Sequence, residues 1–444
     1  MTTLALTDGA FACANPESQR RCEHALDLML THRGDPLGEV ERVIADDPGC
    51  VFAHTLRAAL IVSGDANAAR PALAASLAAI EAVRPDVNDP ARRHADAARA
   101  WLEGDPALAV DRYGAIVVDR PRDVIALVVA HALDFRLGRR PMLRDRIAQV
   151  LPEWEPAMPG YASVLAMYAF GLEENGQYRR AEKLARRALD LDPRLAAAIH
   201  VIAHVMEMQG RGHEGLAFLA ATEPVWGEGS GFSVHLAWHR ALFHLDADDP
   251  NAALAVYDAQ IANRERLDMS VLADASALLW RLRLRSIEVG DRWRLLADRW
   301  ETHSLAGARP FYIVHAMMAF AATGRSAAAA GALQALRHAE PGNSALSFPE
   351  EALALPLCEA LLAFAFRDYA ACVTSLTRVR HIAHRCGGSL AQCDLIHLTF
   401  TEAALRAHKG QLARALVAER AAQKPGSRLN RRLQQRLQAM PAAA

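Results

Sequence analysis

Two pairs of histidines in the middle of the chain are spaced for joint chemistry. His200 and His204 are four residues apart, and so are His235 and His239. Because residues i and i+4 lie on one face of a helix, each pair can hold two imidazole rings side by side. Glu207 adds a carboxylate one turn after His204. The pattern predicts a cluster in which these residues act as catalytic acids and bases or as ligands.

Three uses of such a cluster remain open from the sequence. In the first, the histidines are structural, or they bind a ligand in a generic way. In the second, they form a substrate pocket and transfer protons near neutral pH. In the third, His200, His204, His235 and His239 bind a divalent metal, although no glutamate lies between the first two as in zinc proteases. No cofactor can be assigned from the sequence, and whether the protein is an enzyme stays open.

The histidines belong to segments whose spacing predicts helices in a repeating array. In the clearest unit, Gly176, Tyr178, Ala181, Ala188 and Pro193 fit the tetratricopeptide pattern, whose period is 34 residues. The glycine permits a tight turn, the alanines let two helices approach closely, and the proline ends the second helix. The pattern therefore predicts an antiparallel helix pair.

Similar units recur along the chain, and alternating runs of β-branched residues are missing. We therefore predict an all-α, tetratricopeptide-like α-solenoid or superhelix of about ten helix–turn–helix repeats. Residues 20–425 are expected to form a single solenoid. Residues 1–19 are expected to form an N-terminal arm, and residues 426–444 a C-terminal capping helix or tail.

The turns also set the register of each repeat, and with it the positions that face the concave groove. This register places the central histidines in the groove, where we expect them to be partly exposed. Histidines of early and late repeats are expected to approach them across the superhelix axis. The further candidate ligand-binding residues at groove positions are His54, His94, Glu173, Glu174, Trp238 and His315.

The charge balance argues against two classes of partner. The chain has 50 Lys and Arg residues and 51 Asp and Glu residues, for a net charge of -1. Proteins that bind nucleic acid or a membrane surface normally carry a basic excess, so neither partner is expected. Seven cysteines lie scattered without a CxxC pair, as expected for small buried side chains in a reducing cytosol. No apolar stretch approaches the roughly 20 residues of a membrane span, so we predict a cytoplasmic protein.

Several sequence blocks are similar to those of a known family. The chain resembles the tetratricopeptide repeat protein 38 family in the segments AEKLARRALDLDP, AAIHVIAHVMEM, HLAWHRALFHL and AALAVYDAQI. The connecting segments LPEWEPAMP, LPLCEALL and CGGSLAQCD resemble that family as well. The resemblance covers roughly residues 20–425. It implies an all-helical tetratricopeptide superhelix and brings no established activity with it.

Two functions of different classes follow from these patterns. We expect the superhelix to bind a small polar ligand or substrate in a histidine-rich inner pocket, with acid–base or metal-assisted chemistry. The alternative is a protein–protein interaction scaffold that binds a peptide in the concave groove. The familiar carboxylate clamp of such scaffolds relies on lysine, arginine and asparagine. This chain contains only Lys183, Lys409 and Lys424 as lysines, which argues against that clamp.

Overall fold

All the regular elements that the structure describes are helices. The computed structural model describes residues 11, 13–64, 66–84, 86–263, 267–337 and 350–439. Over these residues it contains 23 α-helices and no strand, and the only β-type contact there is an isolated bridge between Arg33 and Ser230. The all-α prediction is confirmed.

The chain folds into two compact units. The first contains the described residues up to Ile202 together with Pro224–Phe232. The second contains Ala203–Glu223 and the described residues from Ser233 onward. The predicted single solenoid over residues 20–425 therefore stays a prediction.

The first unit is a series of helices in which each packs on the next along the chain. They are α1 (Pro16–Thr31), α2 (Pro36–Asp46), α3 (Val51–Gly64), α4 (Arg70–Val83), α5 (Pro90–Leu102), α6 (Pro106–Asp119), α7 (Val124–Arg136), α8 (Arg140–Val150), α9 (Tyr161–Glu174) and α10 (Tyr178–Leu191). The next helix, α11 (Ala196–Met208), begins in the first unit and ends in the second.

The second unit continues the same construction. Its helices are α12 (Gly212–Trp226), whose last turn falls in the first unit, α13 (Ser233–Asp246), α14 (Pro250–Val256), α15 (Met269–Leu284), α16 (Arg292–Glu301), α17 (Pro310–Thr323), α18 (Ser326–Arg337), α19 (Glu350–Ala365), α20 (Tyr369–Val379), α21 (Leu390–Arg406), α22 (Gly410–Gln423) and α23 (Arg428–Gln438). Beyond the contacts between neighbours, α15 packs on α13 and on α21. These contacts bring distant parts of the sequence to one place.

The pair α9 and α10 has the features that its spacing predicts. Gly176 turns the chain with a φ angle of 74°, a conformation that other residues rarely adopt. Ala181 and Ala188 are completely buried, so α10 packs closely on α9. The second helix ends at Leu191, two residues before Pro193. The local rules of the repeat therefore hold.

Aspartate side chains begin the second helix of several pairs. Asp105, Asp249 and Asp368 each accept a hydrogen bond, of 2.8 to 2.9 Å, from the backbone N–H three residues later. Such a cap satisfies a backbone donor that has no partner within the helix, and its loss costs about 1 kcal/mol. These short polar turns fix where each helix starts.

The two predicted terminal segments are described only in part. Residues 1–10 and 12 of the predicted arm, and residues 440–444 of the tail, lie outside the described residues. Within the predicted arm, α1 already begins at Pro16, capped by the side chain of Asn15. The predicted tail contains α23, on which Asn430 and Leu433 are buried.

Candidate functional site

Three of the central histidines come together in the second unit. His204 lies on α11, and His235 and His239 lie on α13. The ring centroids of His204 and His239 are 4.6 Å apart, and those of His235 and His239 are 4.8 Å apart. One ring nitrogen of each residue lies within 4.8 Å of the others. Small ring rotations would bring these nitrogens to one metal ion or one shared proton.

The cluster is more enclosed than the repeat register predicts. His204 and His239 are completely buried, so the expectation of partly exposed side chains is wrong for them. The indole of Trp238 packs against the ring of His239 at 4.9 Å, and Glu207 is hydrogen-bonded to the same ring. Only His235 keeps some contact with solvent, with 20% of its side chain exposed.

His200 lies one turn before His204 on α11 and belongs to the first unit. Its ring contacts two aromatic rings of that unit, Phe170 at 5.8 Å and Phe232 at 5.0 Å. His200 is buried among them. Its assignment to the histidine site therefore stays a prediction.

Glu207 links the histidines to a lysine from the far end of the chain. The ring N–H at Nδ1 of His239 donates to Oε2 of Glu207 at 3.0 Å. Nζ of Lys424 donates to Oε1 of the same carboxylate at 2.8 Å. The sequence separation between Glu207 and Lys424 is 217 residues, so folding alone creates this contact.

A second carboxylate holds the lysine from its other side. Oδ2 of Asp394, on α21, lies 3.6 Å from Nζ of Lys424. The guanidinium of Arg420, on α22, contacts both carboxylate oxygens of Asp394, with Nη2 to Oδ2 at 3.0 Å. The side chains of all three residues are at least nine-tenths buried. These residues extend the histidine cluster into a network of alternating charges.

Two glycines bring the lysine to the glutamate. Gly210 follows α11 with a φ angle of 70°, and its α-carbon faces the backbone of Gly426. A β-carbon at Gly210 would lie 2.3 Å from the carbonyl carbon of Gly426, and one at Gly426 would lie 2.3 Å from O of Gln209. Because neither glycine has a side chain, the turn after α22 can lie against the end of α11. This approach places Lys424 beside Glu207.

The other face of the cluster carries its own carboxylate. Nδ1 of His235 and Oδ2 of Asp274, on α15, are 2.8 Å apart. The ring of His235 stacks on Trp238 at 5.2 Å with an interplanar angle of 13°. Arg281 lies on α15 as well, and its guanidinium is 5.2 Å from the same indole. A cation and an aromatic ring at this distance attract each other.

The environment shifts the pKa values of the two histidines of α13 in opposite directions. Burial and the neighbouring His204 lower the pKa of His239 to about 3, although Glu207 opposes the shift. Burial also disfavours the charged form of His235, but the charge and hydrogen bond of Asp274 outweigh it and raise the pKa of His235 above its ordinary value. We therefore describe the pair of His239 and Glu207 as a neutral imidazole bound to a carboxylate.

Both carboxylates that hold Lys424 are ionised. Burial alone would raise the pKa of Glu207, but the charge of Lys424 and the hydrogen bond from His239 outweigh it and hold the pKa well below its ordinary value. Burial likewise opposes ionisation of Asp394, and the charges of Arg420 and Lys424 lower its pKa despite this. The network can thus hold or pass a proton at the imidazoles while its carboxylates stay charged.

A pocket opens beside this network within the second unit. Its cavity volume is about 80 Å³, and the wider unfilled space of about 750 Å³ around it includes open solvent. Its walls combine leucines with charged side chains, namely Leu242, Leu245, Leu284, Leu398, Leu429 and Leu433 with Glu207, Asp246, Arg281, Arg285, Asp394, Glu402, Arg420 and Lys424. The lining therefore offers an apolar wall and charged groups to the same ligand.

Two histidines predicted at groove positions of the first unit have close partners of their own. His54 contacts Oγ of Ser76 at 3.2 Å and O of Pro48 at 2.9 Å through its two ring nitrogens. His94 is bound to Asp123 at 3.0 Å. Both rings are buried. The structure thus shows them in local hydrogen bonds of the first unit.

The predicted glutamates and His315 are also buried. Glu173 and Glu174 lie at the end of α9 in the first unit, and Nε of Arg140 is 3.3 Å from Oε2 of Glu174. In the second unit, Nδ1 of His315 donates to O of Phe311 at 2.7 Å. Burial lowers the pKa of His315 to about 4, and the charges of Asp274 and Arg281 act on it too. His315 is therefore a neutral neighbour of the site.

Sequence reasoning misses the residues that connect the cluster to the pocket. Arg420 lies in the last turn of α22 and Lys424 directly follows that helix, whereas Asp394 lies on α21. One signal was available on α21, because Asp394 lies three residues after Ala391 and four before Leu398, both buried. A carboxylate on the buried face of a helix requires a cation. Nothing local identifies Lys424 as that cation.

Comparison with known proteins adds little beyond the helical architecture. The chain matches no family model. It is similar to a chain in the crystal structure of the APC/C hetero-tetramer Cut9-Hcn1, with 12% identity over 94% of this chain and 70% of that one, at a TM-score of 0.47. It is also similar to the P58(IPK) TPR domain, with 11% identity over 89% and 99% of the two chains, at a TM-score of 0.22. Likeness at this level carries no argument about function.

No helix in the described ranges combines the length and the apolar character that crossing a lipid bilayer requires.

Proposed function

We propose that this protein is an interaction scaffold that binds a short peptide segment of a partner protein in the pocket of the second unit. The observation that carries the proposal is the mixed lining of that pocket. A peptide offers apolar side chains for the leucine wall and polar backbone groups for the charged residues. Helical-repeat proteins present such surfaces between successive helices.

The charges of the pocket indicate the kind of peptide. Its lining contains four basic residues and four acidic residues, so their formal charges cancel. Lys424 and Arg420 are already bound to Glu207 and Asp394, and a strongly acidic segment would have to break these pairs. A peptide with apolar side chains and little net charge fits this lining better. The scarcity of lysine therefore does not argue against peptide binding here.

The proposal is tested by selecting peptides from a library of random short sequences on the purified chain and measuring their affinity by fluorescence polarisation. Leu429 is half-buried and lines the pocket, so Leu429→Glu is expected to weaken binding roughly tenfold or more. The matched control is Leu108→Glu, which changes an exposed leucine of α6 in the first unit. Equal affinity of the two variants, or no selected peptide, would contradict the proposal.

A second candidate function rests on the histidines themselves. A neutral His239 and a His235 with a raised pKa, each bound to a carboxylate, are suited to acid–base chemistry on a small polar ligand or to binding a divalent metal. Titration of metal-free protein with Co²⁺ tests the metal version. Weaker visible Co²⁺ absorption in His235→Gln, but not in His303→Gln, would support it, because His303 lies on the surface.

We further propose that the chain is a member of the tetratricopeptide repeat protein 38 family and acts in the cytoplasm. The sequence blocks around α10, α11 and α13 support the family assignment. The seven cysteines, none of them in a disulfide, suit a reducing compartment. Superposition of a solved structure of that family on each unit tests the first statement, and microscopy of the tagged full chain tests the second.

A further inference from the structure

Three cysteines that are distant in sequence meet in the first unit. Cys13 precedes α1, Cys22 lies on α1, and Cys50 immediately precedes α3. The Sγ atoms of Cys13 and Cys50 are 3.1 Å apart, and those of Cys22 and Cys50 are 3.9 Å apart. All three sulfur atoms lie within 4.8 Å of one another. The scattered positions of the cysteines in the sequence give no indication of this triangle.

The fold surrounds the triangle on most sides. Cys22 is completely buried, Cys50 is nearly so, and Cys13 is partly exposed. The helices α1 and α3, which carry or follow these residues, pack on each other. An ion bound at these sulfur atoms would therefore be shielded from solvent except on the side of Cys13.

Cys50 lies at the beginning of a helix. The N-terminus of α3, at Val51, lies directly after this sulfur, and a helix N-terminus favours negative charge. The thiolate is the form of cysteine that binds metal ions.

The spacing of the sulfur atoms fits a shared metal better than a disulfide. A disulfide bond is about 2.05 Å long, and it would use two of the three sulfurs and leave the third unexplained. Two thiolates that each lie about 2.3 Å from one tetrahedral zinc ion are roughly 3.8 Å apart. The observed separations of 3.1 and 3.9 Å lie on either side of that value.

We propose that Cys13, Cys22 and Cys50 bind one Zn²⁺ ion as three thiolates, with a fourth position open to water. Binding releases the protons of the thiols that are still protonated, and no oxidant or reductant takes part. The ion joins the start of α1 to the start of α3. This site is separate from the histidines and from the pocket of the second unit.

The test starts from reduced full-length protein that has been stripped with a chelator and refilled with Zn²⁺ or Co²⁺ alone. One zinc ion per chain by elemental analysis is expected, and the Co²⁺ form should show the intense near-ultraviolet absorption of a thiolate-to-cobalt transition. Cys22→Ser and Cys50→Ser should lose both signals. The matched control Cys372→Ser, at a buried thiol of α20, should keep them.

Cys13→Ser covers the case in which a buried variant fails to fold, because Cys13 is partly exposed to solvent and precedes the first helix. It should melt as the metal-free wild type does and lose the thiolate absorption. Three results would overturn the proposal: no bound zinc, bound zinc in a wild-type protein whose Co²⁺ form lacks that absorption, or a mass two hydrogens lower that maps to a Cys13–Cys50 disulfide. Zinc held by histidines gives the second result, so the two sites are distinguishable.

Discussion

His94 in the first unit and His239 in the second both lie buried on a helix, and both contact a carboxylate oxygen at 3.0 Å. The carboxylates differ in what else they bind. Asp123, the partner of His94, accepts the N–H of Ala126 and so begins α7. Glu207, the partner of His239, binds Lys424 instead. Asp123 also has a cation, since Nε of Arg120 lies 3.9 Å from its Oδ2, but only Glu207 and Lys424 line a pocket.

The difference shows that a histidine at a groove position of the repeat does not by itself indicate a site. The register treats His94 and His239 alike, because both occupy the first helix of a pair. What distinguishes them is a set of charges supplied by α21 and the turn after α22. The substitutions predicted below either disrupt these added charges or alter a buried histidine of the first unit.

The largest effect is expected from Lys424→Met. Removal of the cation leaves Glu207 and Asp394 buried without it, and breaking a buried ion pair from one side costs on the order of 4 kcal/mol. Urea unfolding followed by tryptophan fluorescence measures the loss. The exposed Lys409→Met is the control, with an expected change below about 0.5 kcal/mol. Similar losses in the two variants would show that the network does not stabilise the fold.

The next effect is expected from Gly426→Ala. A β-carbon here meets O of Gln209 at 2.3 Å, so the turn must move away from α11 and take Lys424 with it. We expect a loss of about 2 kcal/mol in the free energy of unfolding and weaker binding of selected peptides. Gly331→Ala, at an open position of α18, should not destabilise the protein. A Gly426→Ala protein with unchanged stability would contradict the close approach of the two turns.

Acid is expected to destabilise the protein through His239. Its pKa is about 3 in the folded protein and about 6.5 when unfolded, so only the unfolded chain takes up a proton as the pH falls from 6.5 towards 3. Its contribution is complete above pH 6.5 and is reduced by about 2 kcal/mol at pH 5. His239→Gln should therefore lose less stability than wild type between pH 7 and pH 5 in urea unfolding. Because both proteins contain the same buried histidines in the first unit, the contribution of those residues cancels in the difference between wild type and His239→Gln.

His235 is expected to change the pH dependence of stability in the opposite direction. It therefore serves as a control for the sign of the effect. Its pKa is raised in the folded protein, so its contribution is complete below pH 6.5 and is lost as the pH rises through the folded pKa. His235→Gln should lose more stability than wild type on acidification. If both variants change the pH dependence in the same direction, the assigned directions of the two pKa shifts are wrong.

The smallest effect is expected from His54→Gln in the first unit. The substitution keeps one of the two hydrogen bonds to Ser76 and Pro48, so the cost should be about 1 kcal/mol. Affinity for a selected peptide should not change, since neither His54 nor its two partners line the pocket of the second unit. A fall in affinity equal to that of Leu429→Glu would remove the distinction between the two units.

The sequence is sufficient to predict the helix pairs and the placement of two histidines on one helix. Gly176, Ala181 and Ala188 follow local rules of turn and close packing, and these rules hold in the structure. The spacing of His235 and His239 requires only that α13 be a helix. Local patterns can determine such features because each depends on residues within one or two turns.

The remaining features depend on contacts between distant helices. Glu207 and Lys424 are 217 residues apart, and no periodicity relates them. The cysteine triangle is equally hidden, because Cys13 and Cys50 meet only when α1 packs on α3. Burial of His204 is also unpredictable from the repeat register, which gives the direction of a side chain but not what covers it.

The chain's three lysines allow a direct test of peptide binding in the pocket beside Lys424. Protein with selectively ¹³C-labelled lysine would be titrated with a selected peptide by NMR, with signals assigned from single Lys→Arg variants. The signal of Lys424 should shift with the peptide occupancy, while those of the exposed Lys183 and Lys409 stay in place. A peptide that binds and leaves the Lys424 signal unmoved would contradict the account.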